Sequence, residues 1–177
     1  LMSPSHQVGV WSGDDTVDVQ WTSAVDQPSS GLDGYSIVWD DQPDTIPDDV
    51  KDVEEDITTA TSPNLTGGTG FYFHIRSIDN LGNWSDDAAH LGAFLIDTSN
   101  PLGVTELQST THSIGEWSSA RIVRVSWDSA VDNESGLGGY SVVWDTLPDT
   151  LQMRQKLKVR SCPTVIATTS TSGALIV

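Results

Sequence analysis

The side chains able to do chemistry in this 177-residue chain are mostly carboxylates: 25 Asp and Glu stand against 8 Lys and Arg, for a formal net charge of −17. The densest group is Asp40, Asp41, Asp44, Asp48, Asp49, Asp52, Glu54, Glu55 and Asp56. Calcium prefers several oxygen ligands, which such a run could supply. The run lacks the alternating Asp-x-Asp-x-Asp-Gly of a chelating loop and reads as a solvated charged loop. The four histidines show no ligand spacing, so zinc is not expected. His6 and His112 hold matching places near a strand start, His74 lies on the outward face of its strand beside Tyr72 and Arg76, and His90 stands alone. The single cysteine, Cys162, offers neither a disulfide nor a plausible Cys–His nucleophile. A Gly-x-Ser-x-Gly elbow and a phosphate loop are missing too. The expectation is therefore a protein that is not an enzyme, with no catalytic or cofactor-binding residue. Seven Trp could stack on sugar rings, but Trp21, Trp39, Trp127 and Trp144 fall at alternating core positions. Trp11, Trp84 and Trp117 are less determined.

Charge and composition narrow the partners. So negative a surface repels nucleic-acid phosphates and anionic lipid heads. No stretch approaches the roughly 18–20 apolar residues of a membrane span. No nucleic-acid partner and no membrane insertion are expected. A cysteine-poor, acidic chain with 37% apolar residues suits an extracellular or cell-surface protein whose domains rely on their core alone. The chain opens on Leu1 without a signal peptide, which reads as a fragment of something longer.

The elements that must carry these groups emerge from self-comparison. His6 through Trp11 matches His112 through Trp117; Val17, Val19 and Trp21 match Val123, Val125 and Trp127. After one lost residue, Ser30-Gly31-Leu32-Asp33-Gly34-Tyr35 matches Ser135-Gly136-Leu137-Gly138-Gly139-Tyr140, and Trp39-Asp40 matches Trp144-Asp145. The repeat of roughly 105 residues is the size of one β-sandwich domain. Within it, Val17/Val19/Trp21, Tyr35/Ile37/Trp39 and Phe71/Phe73/Ile75 alternate with polar residues, the period of half-buried strands. A short Thr-rich strand over 57–61 and a last strand over 90–96 complete the set, with Asn80-Leu81-Gly82-Asn83 as a hairpin turn. The class is all-β, an antiparallel β-sandwich in tandem.

Trp21, the run Gly34-Tyr35-Ser36-Ile37-Val38-Trp39 and the run Phe73-His74-Ile75-Arg76-Ser77-Ile78-Asp79-Asn80 resemble a fibronectin type III domain of bacterial and archaeal secreted or surface proteins. The position similar to that family's tyrosine corner holds Phe71 instead. The resemblance implies a complete fibronectin type III-like domain over 1–97, a linker over 98–103, a partial second copy over 104–150 and an anomalous tail over 151–177. The expected core is Trp21, Tyr35, Ile37, Trp39, Phe71, Phe73, Ile75, Trp127, Tyr140 and Trp144. It also implies a pole where the linker residues Asp97 and Asn100 meet Asp132, Asn133 and Glu134, a candidate interdomain calcium site; no other cofactor is expected. The matching groups in the first copy, Asp26 and Asp79 among them, have the simpler task of closing turns. The function it implies is a structural spacer or protein-interaction module whose partners are neighbouring domains of the same polypeptide and an extracellular protein. The alternative is a carbohydrate-binding accessory module of a secreted hydrolase, with a polysaccharide ligand.

The tail departs from this pattern. No acid follows Asp149, and Arg154, Lys156, Lys158 and Arg160 are half of all basic residues. Read one base out of frame, codons for Ala167 through Gly173 can spell Tyr-Tyr-Phe-His-Ile-Arg, which matches the run Phe71 through Arg76 at every position but the first. The tail is expected to be a weakly ordered frameshift product, either disordered or a poor β surrogate, that leaves the strands of the second copy without true partners or their covering sheet.

Overall fold

The computed structural model describes residues 1–147 and the backbone of the strand Thr164–Thr168. Among the described residues every regular element is a β-strand, and no helix is long and apolar enough to cross a membrane. The chain divides into two compact units, Leu1–Ser99 and Asn100–Val177.

The first unit holds β1 (Trp11–Ser12), β2 (Asp18–Gln20), β3 (Leu32–Asp40), β4 (Val53–Glu54), β5 (Thr59–Thr61), β6 (Gly68–Asp79) and β7 (Ala89–Ile96). They form a five-stranded sheet ordered β1-β7-β6-β3-β4 and a two-stranded sheet of β2 and β5. The pairings are antiparallel except that of β1 with β7. The layers are sandwich-like. Val17 and Val19 from the small-sheet side meet Tyr35, Phe73, Ile75, Phe94 and Ile96 from the large sheet in one buried cluster. Of the expected core, Tyr35, Phe73 and Ile75 are buried, while Trp21, Ile37, Trp39 and Phe71 are half-buried and packed against the cluster. Phe73 lies between two indoles, its centroid 5.9 Å from the ring of Trp21 and 4.9 Å from that of Trp39. Burying such a ring contributes about 1.5–3 kcal/mol, and the ring pairs add to it.

Two local details hold the large sheet. Gly34 lies where β4 crosses close to β3: a Cβ there would stand 2.2 Å from the Val53 carbonyl oxygen. At the entry to β3, Gly31 has φ of 89°, a left-handed value that glycine adopts without strain. The turn after β6 closes as expected, Gly82 N–H donating to the Asp79 carbonyl at 3.0 Å.

The second unit holds β8 (Thr105–Ser109), β9 (Ile122–Asp128) and β10 (Thr164–Thr168), in the order β10-β9-β8 and antiparallel throughout. Trp127 is buried, and Tyr140 and Trp144 are half-buried. The tail supplies a β surrogate, one of its two expected states, as a ladder partner for β9. Thr164, Val165 and Ile166 pair with Ser126, Val125 and Arg124, as Thr59, Ala60 and Thr61 pair with Gln20, Val19 and Asp18 in the first unit. The alternation of the Thr-rich segment thus survives in the tail far enough to complete a ladder. The remainder of the expected weakly ordered tail lies outside the described residues.

Candidate functional site

The outer face of the five-stranded sheet is set by the same alternation that builds the core. With Tyr35, Ile37, Phe73 and Ile75 turned inward, Ser36, Val38, Asp40, Tyr72, His74 and Arg76 turn outward. Solvent does not reach all of them, because the acidic segment between β3 and β4 folds back over them. Ser36 and His74 are 0% exposed. The Asp52 carboxylate accepts from the Ile37 N–H at 2.8 Å and lies 3.3 Å from the Ser36 hydroxyl; Asp48 lies 3.4 Å from the same hydroxyl. Asp49 pairs with the Arg76 guanidinium, which also lies over the Trp84 ring at 4.7 Å. Lys51 reaches Asp33 at 3.1 Å and Glu54 at 2.8 Å. The run is a solvated charged loop, its acids from Asp41 to Asp56 all exposed, and three of them, Asp48, Asp49 and Asp52, also fasten it to the sheet.

On the same face lies a chain of three titratable groups. The Asp40 carboxylate is 3.1 Å from His74 Nε2, and His74 Nδ1 is 2.6 Å from Nδ1 of His90. A carboxylate only accepts, so His74 Nε2–H donates to Asp40, and a single proton lies between the two facing Nδ1 atoms. Asp40 is held below its ordinary carboxyl value. Burial pushes it up, but hydrogen bonds from the Thr45 side chain, the Gln42 N–H and His74 outweigh that. The Tyr72 ring stacks beside His74 with 6.2 Å between centroids. His90 is exposed.

His90 therefore does not stand alone. His74 and His90 are direct cross-strand partners in the β6–β7 ladder, so the sheet brings together two rings far apart in sequence. The signal was present in the inward residues: Phe73 faces Leu91, which places the residues beside them on one outward face. What spacing alone lacked was the register, which shifts twice along this ladder.

The candidate calcium ligands are engaged locally. Asp97 Oδ1 accepts from the N–H and hydroxyl of Ser99 at 3.1 and 3.2 Å. Asp132 Oδ1 accepts from the N–H of Glu134 and of Gly136 at 3.0 and 3.1 Å. Asn100 and Asn133 are exposed and Glu134 is half-buried. Asp97 lies in the first unit and the other four in the second. Among the described residues no three His, Cys, Asp or Glu side chains converge to hold a metal. The turn-closing role expected for Asp26 and Asp79 is observed. Asp26 accepts from the Ser30 hydroxyl and the Gly31 N–H at 3.1 and 3.0 Å. Asp79 takes the Asn83 side chain and the N–H groups of Asn83 and Leu81, which lower its carboxyl to about 2.

Residues matched by the internal repeat make the same contacts in the two units. The Tyr35 hydroxyl accepts from the Ala24 N–H at 3.0 Å, and the Tyr140 hydroxyl from the Ala130 N–H at 3.2 Å. Trp21 meets Tyr35 edge-on at 5.5 Å, and Trp127 meets Tyr140 edge-on at 5.3 Å. His6 Nε2 approaches the Asp14 carbonyl at 3.1 Å and His112 Nε2 the Ala120 carbonyl at 3.2 Å. Even a deficiency recurs: the buried indole N–H groups of Trp21, Trp39, Trp127 and Trp144 find no acceptor among the described residues. No protein-family model matches the chain. No curated protein matches it either.

Proposed function

We propose that the chain is a non-catalytic spacer or protein-interaction module of a larger extracellular or cell-surface protein, built as a fibronectin type III-like domain followed by a partial second copy. The observation that carries this reading is the recurrence, in both units, of the Trp–Tyr edge contact and the tyrosine-hydroxyl tether at residues matched by the sequence repeat. Such tethers hold a strand entry in place. They serve a load-bearing sandwich and contribute nothing to a reaction. The partners of such a module are neighbouring domains of its own polypeptide. Pulling the chain between its termini in a force spectrometer tests the reading. The first unit should unfold in one resisted step that releases roughly 30 nm of chain, given about 3.3–3.6 Å per residue. Extension without a resisted step would remove the spacer reading.

A second reading, a carbohydrate-binding accessory module, has one observation in its favour: Trp117 is 104% exposed, a flat ring free to stack on a sugar. The other six indoles are buried or half-buried, which favours the spacer. Affinity electrophoresis through gels containing soluble polysaccharides distinguishes the two. Retardation that Trp117→Ala abolishes would favour the carbohydrate reading.

A further inference from the structure

We propose that the cross-strand pair His74 and His90 is a two-imidazole binding site for a divalent transition-metal ion of the copper, nickel and zinc class, oriented by Asp40. The two rings face each other across the β6–β7 ladder through their Nδ1 atoms, 2.6 Å apart. His74 is fully buried and its other nitrogen is tied to Asp40 at 3.1 Å. In the neutral ring that tie puts the proton on Nε2 and leaves the Nδ1 lone pair aimed at the gap, the arrangement in which an outer carboxylate holds and strengthens a metal-binding histidine.

His90 is exposed, so it can withdraw enough for an ion at about 2.0–2.1 Å from each nitrogen. In doing so the neutral His90 carries its single proton on Nε2 rather than Nδ1. Both rings then offer a lone pair, and no proton is gained or lost.

The donor set decides the class of ion. Imidazole nitrogen suits copper, nickel and zinc, whereas calcium and magnesium require oxygen. Because no three His, Cys, Asp or Glu groups converge among the described residues, water completes the coordination and the ion keeps open positions. The chain's net charge of −17 raises the local concentration of cations.

The test is calorimetric titration of the full chain with Cu2+, Zn2+ and Ca2+ near neutral pH, beside His90→Ala, Asp40→Asn and a His112→Ala control. The expected result is one Cu2+ bound more tightly than Zn2+, as the intrinsic order of affinities requires. His90→Ala should lose that event, Asp40→Asn should weaken it by about 10-fold, and His112→Ala should leave it intact. Acidification should weaken it as protons compete for the imidazoles. No Cu2+ binding by the wild type, binding unaltered by His90→Ala, or a Ca2+ event removed by the same substitution would each overturn the proposal. A measurement without variants guards against misfolding. Substoichiometric Cu2+ should broaden the ring-proton resonances of His74 and His90 ahead of those of His6 and His112; the reverse order would refute the site.

Discussion

Val19 and Val125 occupy matched places in the two units, yet Val19 is 1% exposed and Val125 is only half-buried. The contrast extends to their neighbours. Tyr35 is buried where Tyr140 is half-buried. Trp11 pairs with Leu95 through the β1–β7 ladder, while its counterpart Trp117 stands wholly in solvent. In the first unit Phe73 fills the space between Trp21 and Trp39. In the second, Trp127 and Trp144 line an apolar groove with Val104, Leu107, Val125 and Tyr140. The hydrogen bonds do not follow this division, since the His6, Asp26 and Tyr35 contacts all recur at His112, Asp132 and Tyr140. Turns, tethers and edge contacts are written in short stretches of chain and form wherever those stretches occur. Burial depends on strands contributed from far along the sequence, here β6 and β7.

Equal substitutions at matched positions can break this comparison. Val19→Ala should destabilise the first unit by about 1.5–3 kcal/mol, whereas Val125→Ala should cost the second unit clearly less. Urea denaturation followed by amide resonances of each unit measures both, and equal losses would mean that the second unit is as well covered as the first. Tyr35→Phe and Tyr140→Phe should each cost about 0.5–1.5 kcal/mol, close to each other because both remove a hydroxyl that accepts a backbone N–H. A large asymmetry in the same melts would show that burial governs the tethers too.

Acid should act mainly on the first unit. Asp79, lowered from 3.8 to about 2, and Asp40, also lowered, contribute stability that is complete above their unfolded values. That stability fades as pH falls from about 4 towards 2. Circular-dichroism melts across that window should show a decline that Asp79→Asn reduces. The smallest effect belongs to Trp117→Ala, which should change stability by no more than about 0.5 kcal/mol. Its fluorescence should nonetheless account for the most red-shifted part of the emission.

Much of the first unit was legible before any coordinates. Period-two alternation at Tyr35/Ile37/Trp39 and Phe71/Phe73/Ile75 located β3 and β6, and Gly31 and Asn80 through Asn83 marked their turns. β1 and β4 escaped because two residues are too few to show a period. β10 was legible only as a poor β surrogate somewhere in the tail, because basic composition and a broken repeat hid a ladder that needs only backbone groups. The histidine pair was half legible. Alternation put His74 outward, but which residue of β7 faces it depends on bulges that spacing does not encode. That the acidic loop is fastened to the sheet was not legible. A run of carboxylates is equally compatible with water and with the N–H, hydroxyl and guanidinium groups of a strand face, and the choice is made by the path of the chain.

That loop has a consequence for the solvent in which the protein works best. With 25 acids and 8 bases, few carboxylates can find a cation, and those at Asp26, Asp52 and Asp79 rest on amide and hydroxyl donors instead. Dissolved electrolyte does little to bonds of that kind, while it shortens the reach of the mutual repulsion to about 10 Å at 0.1 M. Brine should therefore tighten this molecule rather than loosen it, and dilute buffer is the medium that strains it most.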